Sequence, residues 1–255
     1  MNYTLLSLFD YSGQWSKPFA DNGWNVIQWD IKLNEFMNIN ALETAEICLD
    51  LFNDVTGIIS APPCTHFTNS GAQYWAIKDE DGRTYEAMEM VNQVKRIANL
   101  FRPTDPEYDQ PFFWALENPV GRLPKLIPDL GSPLYFHPYE FAWYTKPKMH
   151  ELHKLARLRE KNGHGITEED VELILRTNAY TKKTGLWGEF NRNLKRDPIT
   201  PVKASPQGTF TQRYGGANDR TKELRSNTPT GFAQAFYEAN KHYKCYVDDE
   251  GEFIY

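Results

Sequence analysis

Residues 3–9 (YTLLSLF), the polar turn at residues 10–14 (DYSGQ) and residues 25–30 (NVIQWD) decide the fold. The apolar run at residues 3–9 predicts a buried strand, and Pro18 is typical of the first turn of a helix. This order is typical of a nucleotide-binding βαβ unit: a strand, a tight polar turn, a helix and a second strand that ends in an acid. Because the turn holds Gly13 but no GxGxxG, a phosphate cradle is disfavoured, and a ligand without phosphates stays open.

Length and composition indicate one α/β domain with a modest accessory lobe. The chain has 255 residues, of which 40% are hydrophobic and 24% charged, enough apolar material for a core. It has no apolar run near the roughly 18 residues of a membrane helix, and no basic leader, so a cytoplasmic protein without a membrane partner is expected. Cys48, Cys64 and Cys245 are too scattered for a disulfide framework or a zinc pair.

Charge is segregated along the chain. The formal net charge is -6, yet residues 181–225 contain ten Lys or Arg against four acids, a local charge of +6. The remainder is therefore at -12, so a polyanion would be attracted to one region and repelled by the others. A solvated basic loop explains the run equally well, although interleaved aromatic residues such as Trp187 and Phe210 favour nucleic acid.

A lone cysteine follows a predicted strand. Residues 57–61 (GIISA) are apolar and end at Pro62 and Pro63, so Cys64 lies just past a strand's carboxyl end. Ligands bind at that end of open α/β sheets, which suits a nucleophile. A buried structural thiol is the alternative, but the polar residues 65–71 favour exposure.

Residues 112–116 predict another strand, directly followed by Glu117, Asn118 and Pro119. A carboxyl beside the same cleft could be a general acid, because burial raises the pKa of a carboxyl group. A surface glutamate before a turn is the simpler alternative.

The other predicted elements are mostly helical. Helices are expected at residues 85–101, 149–161, 167–178 and 228–243, and a small hairpin at residues 245–255. No metal is predicted, because His150 and His153 miss the HExxH spacing by one residue.

Six short blocks in fixed order carry a family resemblance. They are residues 8–13 (LFDYSG), 62–71 (PPCTHFTNSG), 117–119 (ENP), 137–141 (HPYEF), 182–187 (KKTGLW) and 225–233 (RSNTPTGFA). With them the chain resembles the cytosine-C5 DNA methyltransferases, particularly the short bacteriophage forms. The resemblance implies an α/β, Rossmann-like class I S-adenosylmethionine-dependent methyltransferase fold with a small helical insertion and a reduced target-recognition region. The implied domains are 1–145 for cofactor and catalysis, 146–180 for the insertion, 181–227 for DNA contact, and 228–255 for a C-terminal helix and tail that pack on the catalytic domain.

The resemblance also implies a cofactor, S-adenosyl-L-methionine, and a covalent mechanism on a flipped cytosine in DNA. The implied cofactor residues are Phe9, Asp10, Ser12, Gly13, Trp15, Asp30, Ile31, Asp50 and Pro62. Cys64 is the implied nucleophile, Glu117 binds and protonates ring N3, and Asn118 shapes the pocket. The implied DNA contacts are Pro63, Thr65, Phe67, Ser70, Lys182 and Arg213.

The chain departs from the family in two places. The ENV block is Glu117-Asn118-Pro119 here, and the QxRxR block has no clean match. Lys182 or Lys183 could replace its arginine, with Lys183 placed in the catalytic set, and Gln212-Arg213 is the competing candidate. The near-balanced charge of the 146–180 insertion favours a packing or oligomerising lobe over a DNA-contacting arm.

The little chain left for target recognition predicts a short or relaxed recognition sequence. The same chemistry on RNA or a free cytosine nucleotide, or with a modified sulfonium donor, stays open. A non-catalytic DNA-binding protein that keeps the fold is the alternative from another class, and the pairing of Cys64 with Glu117 argues against it.

Overall fold

The computed structural model describes residues 3–35, 37–38, 55–103, 112–144, 156–165, 167–169, 178–201, 226–243, 246–247 and 253–254. The strands are β1 (Thr4–Leu8), β2 (Asn25–Trp29), β3 (Val55–Ser60), β4 (Phe113–Pro119), β5 (Leu134–Phe136), β6 (Thr184–Glu189), β7 (Tyr246–Val247) and β8 (Phe253–Ile254). The helices are α1 (Lys17–Asp21), α2 (Trp75–Glu80), α3 (Arg83–Phe101), α4 (Leu123–Leu126) and α5 (Thr230–Asn240), with short 3-10 turns at Cys64–His66, Asn69–Tyr74, Pro128–Leu130 and Pro138–Tyr144.

Six strands form one mixed sheet in the order β2-β1-β3-β4-β6-β5. Strands β2, β1, β3 and β4 are parallel, and β6 is antiparallel to β4. After β1 the chain goes to β2 on one side of β1, and it returns to β3 on the other side. The carboxyl ends of β1 and β3 therefore flank a topological switch point, where open α/β sheets bind ligands.

Both faces of the sheet are buried. On one face, Leu6, Ile58 and Leu116 belong to a core cluster that also contains the apolar stripe of α3. On the other, the Phe113 ring packs 5.7 Å from that of Phe19, next to α1. A parallel sheet buried on both faces needs continuous apolar strands, and β1 and β3 are buried along their whole length. The α/β prediction is thus confirmed as a mixed sheet between helices.

The strands predicted near residues 3–9, 25–30, 57–61 and 112–116 and the helices predicted at 85–101 and 228–243 are confirmed, with one correction at β4. Of the helix predicted at 149–161, residues 156–160 are described and are helical, and most of the helix predicted at 167–178 lies outside the described residues. The prediction ended this strand at Leu116, but it continues through Pro119. The pairing of β4 with β3 ends where Leu116 lies opposite Ser60. In the described part of the chain, the last residues of β4 are paired only with the antiparallel β6, where Glu117 lies opposite Leu186 and Asn118 opposite Gly185. Glu117 and Asn118 are therefore strand residues. The prediction missed them because local sequence patterns do not reveal pairing with β6. The small C-terminal hairpin is confirmed by the pairing of β7 with β8.

The chain divides into two compact units. The first consists of Met1–Tyr135, Thr184–Asn193 and Tyr237–Tyr255, and the second of Phe136–Lys183 and Leu194–Phe236. The 146–180 segment falls within the second unit, and its residues 156–160 are helical. In this unit Phe136 stacks on Phe232 with ring centroids 4.1 Å apart.

No helix among the described residues is long and apolar enough to cross a membrane.

Candidate active site

The turn after β1 is organised by a buried carboxylate. We define the Asp10 turn as residues 9–16. Oδ2 of Asp10 accepts hydrogen bonds from Ser7 Oγ at 3.0 Å, Ser16 N at 3.1 Å and Ser16 Oγ at 2.9 Å, and Oδ1 accepts one from Ser12 Oγ at 3.4 Å. Burial raises the pKa of Asp10, and these hydrogen bonds oppose the rise. The Asp10 carboxylate thus fixes the shape of the turn from within.

The backbone of the Asp10 turn is constrained at its start. Phe9 has a φ of 57°, in the left-handed region that non-glycine residues rarely adopt. Its N–H donates to the carbonyl of Trp29 at 2.9 Å, which holds the chain in this conformation. Gly13 also has positive φ, at 65°. Strained backbone of this kind is concentrated at binding sites.

The end of β2 brings a second acid to the same edge of the sheet. Asp30 is 9% exposed, and its Oδ1 accepts a hydrogen bond from the backbone N–H of Lys32 at 2.8 Å. The next residue, Ile31, is 57% exposed, and Tyr11 in the Asp10 turn is 42% exposed. An acid flanked by exposed apolar side chains suits a ribose with its attached base. Trp15 is fully buried, so it supports the turn from the core.

The segment after β3 carries the predicted nucleophile. We define the Cys64 loop as residues 61–71. Ala61 N donates to the carbonyl of Leu8 at 3.1 Å, which attaches the start of the loop to β1. Cys64 is partly exposed and forms no disulfide, and its carbonyl accepts hydrogen bonds from Phe67 N at 3.0 Å and Thr68 N at 3.1 Å. Cys64 therefore opens a tight turn at the carboxyl end of the sheet.

The other predicted residues of the Cys64 loop differ in exposure. Pro63, Thr65 and Ser70 are exposed, which is compatible with contact to a large substrate, whereas Pro62 is buried. Phe67 is fully buried in the core cluster, where its side chain anchors the loop. In this position it supports the loop rather than offering a surface to DNA.

The end of β4 is bonded directly to the Cys64 loop. Asn118 Nδ2 donates to the carbonyl of Pro62 at 3.2 Å, two residues before Cys64. Glu117 is 8% exposed and Asn118 fully buried. Adjacent strands lie about 4.8 Å apart, so the segments carrying Cys64 and Glu117 are neighbours at one edge of the sheet. Oδ1 of Asn118 is buried without a hydrogen-bond partner, an acceptor that bound substrate or water can satisfy.

A second connection runs from the residues after β4 to the Cys64 loop. A Cβ on Gly121 would lie 1.8 Å from the carbonyl oxygen of Phe67, so this close approach requires glycine. Arg122 donates from its backbone N to the same carbonyl at 2.8 Å and from Nε to the carbonyl of His66 at 3.0 Å. The loop is thus fixed from outside.

His66 sits among cations. Burial lowers its pKa, and Lys78, Arg83 and Arg122 lower it further, so the imidazole is neutral at neutral pH.

The remaining predicted residues lie elsewhere. Lys182 and Lys183 belong to the second unit and precede β6; Lys182 is half-buried and Lys183 is exposed. Asp50 and Arg213 lie outside the described residues.

Sequence reasoning missed the residues that hold the site. Ser7 and Ser16 bond Asp10 over three and six positions, and their spacing around an acidic turn was a usable signal. Helix α2 and the Arg122 contacts gave no such signal, since Arg122 meets α2 across 43 positions of the chain.

Comparison with known proteins adds no assignment: no protein-family model matches the chain, and no curated protein is detectably similar to it.

Proposed function

We propose that the protein is an S-adenosylmethionine-dependent DNA cytosine-C5 methyltransferase with a Rossmann-like class I fold. The observation that carries the proposal is the bond from Asn118 to the carbonyl of Pro62, which joins the Cys64 loop to the Glu117 strand. It brings a partly exposed thiol and a buried carboxyl to one edge of the sheet, beside a switch point. A thiol and an acid on neighbouring segments of one sheet edge suit covalent addition to a pyrimidine.

The residues at the ends of β1 and β2 fit the cofactor. The Asp10 turn is held by a buried carboxylate and has no glycine-rich phosphate cradle, which disfavours a phosphate-bearing ligand. Asp30 is the proposed acceptor for the ribose hydroxyls, and the exposed Ile31 the proposed contact for the adenine. S-adenosylmethionine, when bound, supplies a methyl group to C5 and leaves as neutral S-adenosylhomocysteine.

Cys64 supplies the nucleophile. Its thiolate adds to C6 of cytosine, forming an S–C6 bond and moving the C5=C6 electron pair to C5. Once C5 carries the methyl group, a base removes the C5 proton, the S–C6 bond breaks, and its electrons return to sulfur as C5=C6 re-forms. Cys64 ends as it began, and the net products are methylcytosine, the thioether and a proton.

Glu117 supports the addition step. As a protonated carboxyl it donates to ring N3 and so stabilises the negative charge that the thiolate brings into the ring. Asn118 shapes the pocket, with its amide bonded to Pro62 and its buried Oδ1 left as an acceptor.

DNA is the proposed substrate, with a cytosine flipped out of the duplex. Exposed Thr65 and Ser70 lie in the Cys64 loop, where they can contact the strand around the flipped base. Lys182 and Lys183 are proposed to contact phosphates as part of the basic 181–225 segment. The short chain favours a short or relaxed recognition sequence, so sequencing that finds methylation confined to one site of six or more defined bases would refute this point.

Trapping on 5-fluorocytosine tests the proposal. Fluorine at C5 cannot leave as a proton does, so the S–C6 adduct persists after methyl transfer. A duplex with 5-fluorocytosine and S-adenosylmethionine should yield a covalent complex joined through Cys64, identified by peptide mass spectrometry. Duplex with ordinary cytosine is the control, and the absence of a complex at every cytosine context tried would overturn the assignment.

Substrate class is separated by parallel assays. Transfer of a tritium-labelled methyl group to duplex DNA is expected, and RNA and dCTP are the comparison substrates. Methylation of dCTP with salt-independent binding would replace DNA with a small-molecule substrate.

A further inference from the structure

Arg122 stands where three segments meet. It lies five positions beyond Glu117 in the chain, and its side chain is 10% exposed. Its backbone N and its Nε donate to consecutive carbonyls of the Cys64 loop, those of Phe67 at 2.8 Å and His66 at 3.0 Å. The residue is thus bonded to the loop by main chain and side chain together.

The other guanidinium nitrogens of Arg122 bind α2 and α3. Nη1 and Nη2 each donate to one carboxylate oxygen of Asp79 at 2.7 Å, and Nη2 also donates to Thr84 Oγ1 at 2.8 Å. The guanidinium lies 4.7 Å from the ring centroid of Trp75. Hydrogen bonding from Arg122 lowers the pKa of Asp79 to about 2, so this carboxylate stays ionised at any working pH.

The Cys64 loop is also bonded to a second cation, Lys78, which lies in α2. Lys78 Nζ donates to the carbonyl of Thr65 at 2.6 Å. The two peptide carbonyls that follow Cys64, those of Thr65 and His66, are therefore both bound by cations. These bonds define the turn in which Cys64 is the first residue.

We propose that Arg122 is a positioning residue that holds the Cys64 thiol in place relative to Glu117. The inference rests on the proposed function for the chemistry, and on the contacts of Arg122 for the geometry. Because a planar guanidinium donates in several fixed directions at once, it can bind His66, Asp79 and Thr84 together. Lysine keeps the charge but cannot reproduce this fork.

Positioning matters here because addition to C6 needs the thiolate at near-contact distance. Displacement of a reacting group by about 1 Å can lower a rate about 100-fold. The bonds from Arg122 to the Cys64 loop go to the backbone carbonyls of His66 and Phe67, so Arg122 acts on the thiol through the backbone of this loop.

The test compares Arg122→Lys with Arg102→Lys in the full chain. Arg102 is a matched control, because it forms another two-point ion pair, in which its Nε donates to Glu189 at 3.0 Å. This pair lies near the opposite end of β4, where Glu189 is across from Trp114. The first measurement is the rate of alkylation of Cys64 by iodoacetamide, quantified on the Cys64 peptide as a function of pH. The second is kcat and KM for methyl transfer.

Arg122→Lys should raise the Cys64 alkylation rate about threefold or more, because a released loop exposes the thiol more often. The pH midpoint should not move, since the charge is kept. The same variant should lower kcat about 10- to 100-fold with little change in KM for the cofactor. Arg102→Lys should match the wild-type alkylation rate and kcat.

The outcomes separate the two proposals. An alkylation rate in Arg122→Lys that is unchanged or slower would overturn the positioning role, whether or not the protein methylates DNA. A faster rate in Arg122→Lys, together with the absence of an adduct on 5-fluorocytosine in the wild-type protein, would support the positioning role and count against the methyltransferase. If Arg122→Lys shows no cooperative unfolding and is therefore misfolded, Asp79→Asn replaces it in the test. This variant keeps Arg122 and should also raise the Cys64 alkylation rate, and an unchanged rate refutes the inference.

Discussion

The Asp10 turn and the Cys64 loop lie at the same edge of the sheet but are held in different ways. In the Asp10 turn, the partners of the carboxylate are Ser7, Ser12 and Ser16, all within six positions. In the Cys64 loop, the carbonyls of His66 and Phe67 accept from Arg122, 56 and 55 positions away. The carboxylate of the Asp10 turn is bonded by near neighbours in the chain, whereas the carbonyls of the Cys64 loop are bonded by a distant residue.

This difference separates binding from chemistry. A turn whose central carboxylate is bonded by near neighbours in the chain needs few other segments to hold its shape, here the bond from Phe9 to Trp29 at the end of β2. A loop whose shape depends on three other segments can be adjusted, or damaged, from a distance. Changes in the Asp10 turn should therefore affect cofactor affinity and stability, and changes around the Cys64 loop should affect turnover.

The sharpest separation is expected from Cys64→Ser. It should abolish methyl transfer and the adduct on 5-fluorocytosine, because a serine hydroxyl is far less nucleophilic than a thiolate. Affinity for S-adenosylmethionine, measured by calorimetry, should stay within about twofold, since the thiol serves the covalent step. Retained turnover would remove Cys64 from the mechanism.

Glu117→Gln tests the acid itself, which β4 rather than a loop positions. The rate should fall by about 10² to 10⁴, the range for a positioned general acid, with cofactor affinity unchanged. Single-turnover methylation measures this directly. Asp129→Asn is the control, because that carboxylate is exposed on a surface turn and paired with Lys95. An unchanged rate in Glu117→Gln would mean that another group protonates N3.

Local patterns predicted most of the fold. The strands at residues 4–8, 25–29 and 55–60 and helix α3 follow from apolar runs and helical spacing that no tertiary contact had to override. The length of β4 could not be predicted, because its last residues are strand only through pairing with β6, which lies 65 or more positions later.

The site was predictable in part for the same reason. Cys64 and Asp30 follow strands and Glu117 lies near the end of one, and parallel strands bring their carboxyl ends to one edge, so their shared location follows from local reasoning. The backbone strain at Phe9, the close approach at Gly121 and the contacts of Arg122 with α2 depend on three-dimensional packing. Such features have no periodic signature in the sequence.

Gly121→Ala challenges the external support of the Cys64 loop. The new Cβ would lie 1.8 Å from the carbonyl oxygen of Phe67, so the loop has to move. We expect a loss of about 1–3 kcal/mol in the free energy of unfolding and a fall in kcat, with cofactor affinity nearly kept. Gly165→Ala is the control, since a Cβ there meets no atom within 4 Å. Equal stability of the two variants in urea titrations would show that the loop is not held at Gly121.

Asp10→Asn tests the carboxylate of the Asp10 turn and should have the smallest effect. The amide oxygen can still accept from Ser16, but the NH2 group that replaces the other oxygen cannot accept from Ser12, and the loss of that hydrogen bond costs about 1 kcal/mol. Because burial raises the pKa of Asp10 above its unfolded value, the wild type gains stability as pH falls through the folded pKa, and the non-titrating variant does not. The destabilisation caused by Asp10→Asn should therefore grow between pH 7 and pH 4, measured by urea unfolding, while the exposed Asp21→Asn shows no such growth. A difference that shrinks as pH falls would mean that the hydrogen bonds of the turn outweigh the burial of its carboxylate.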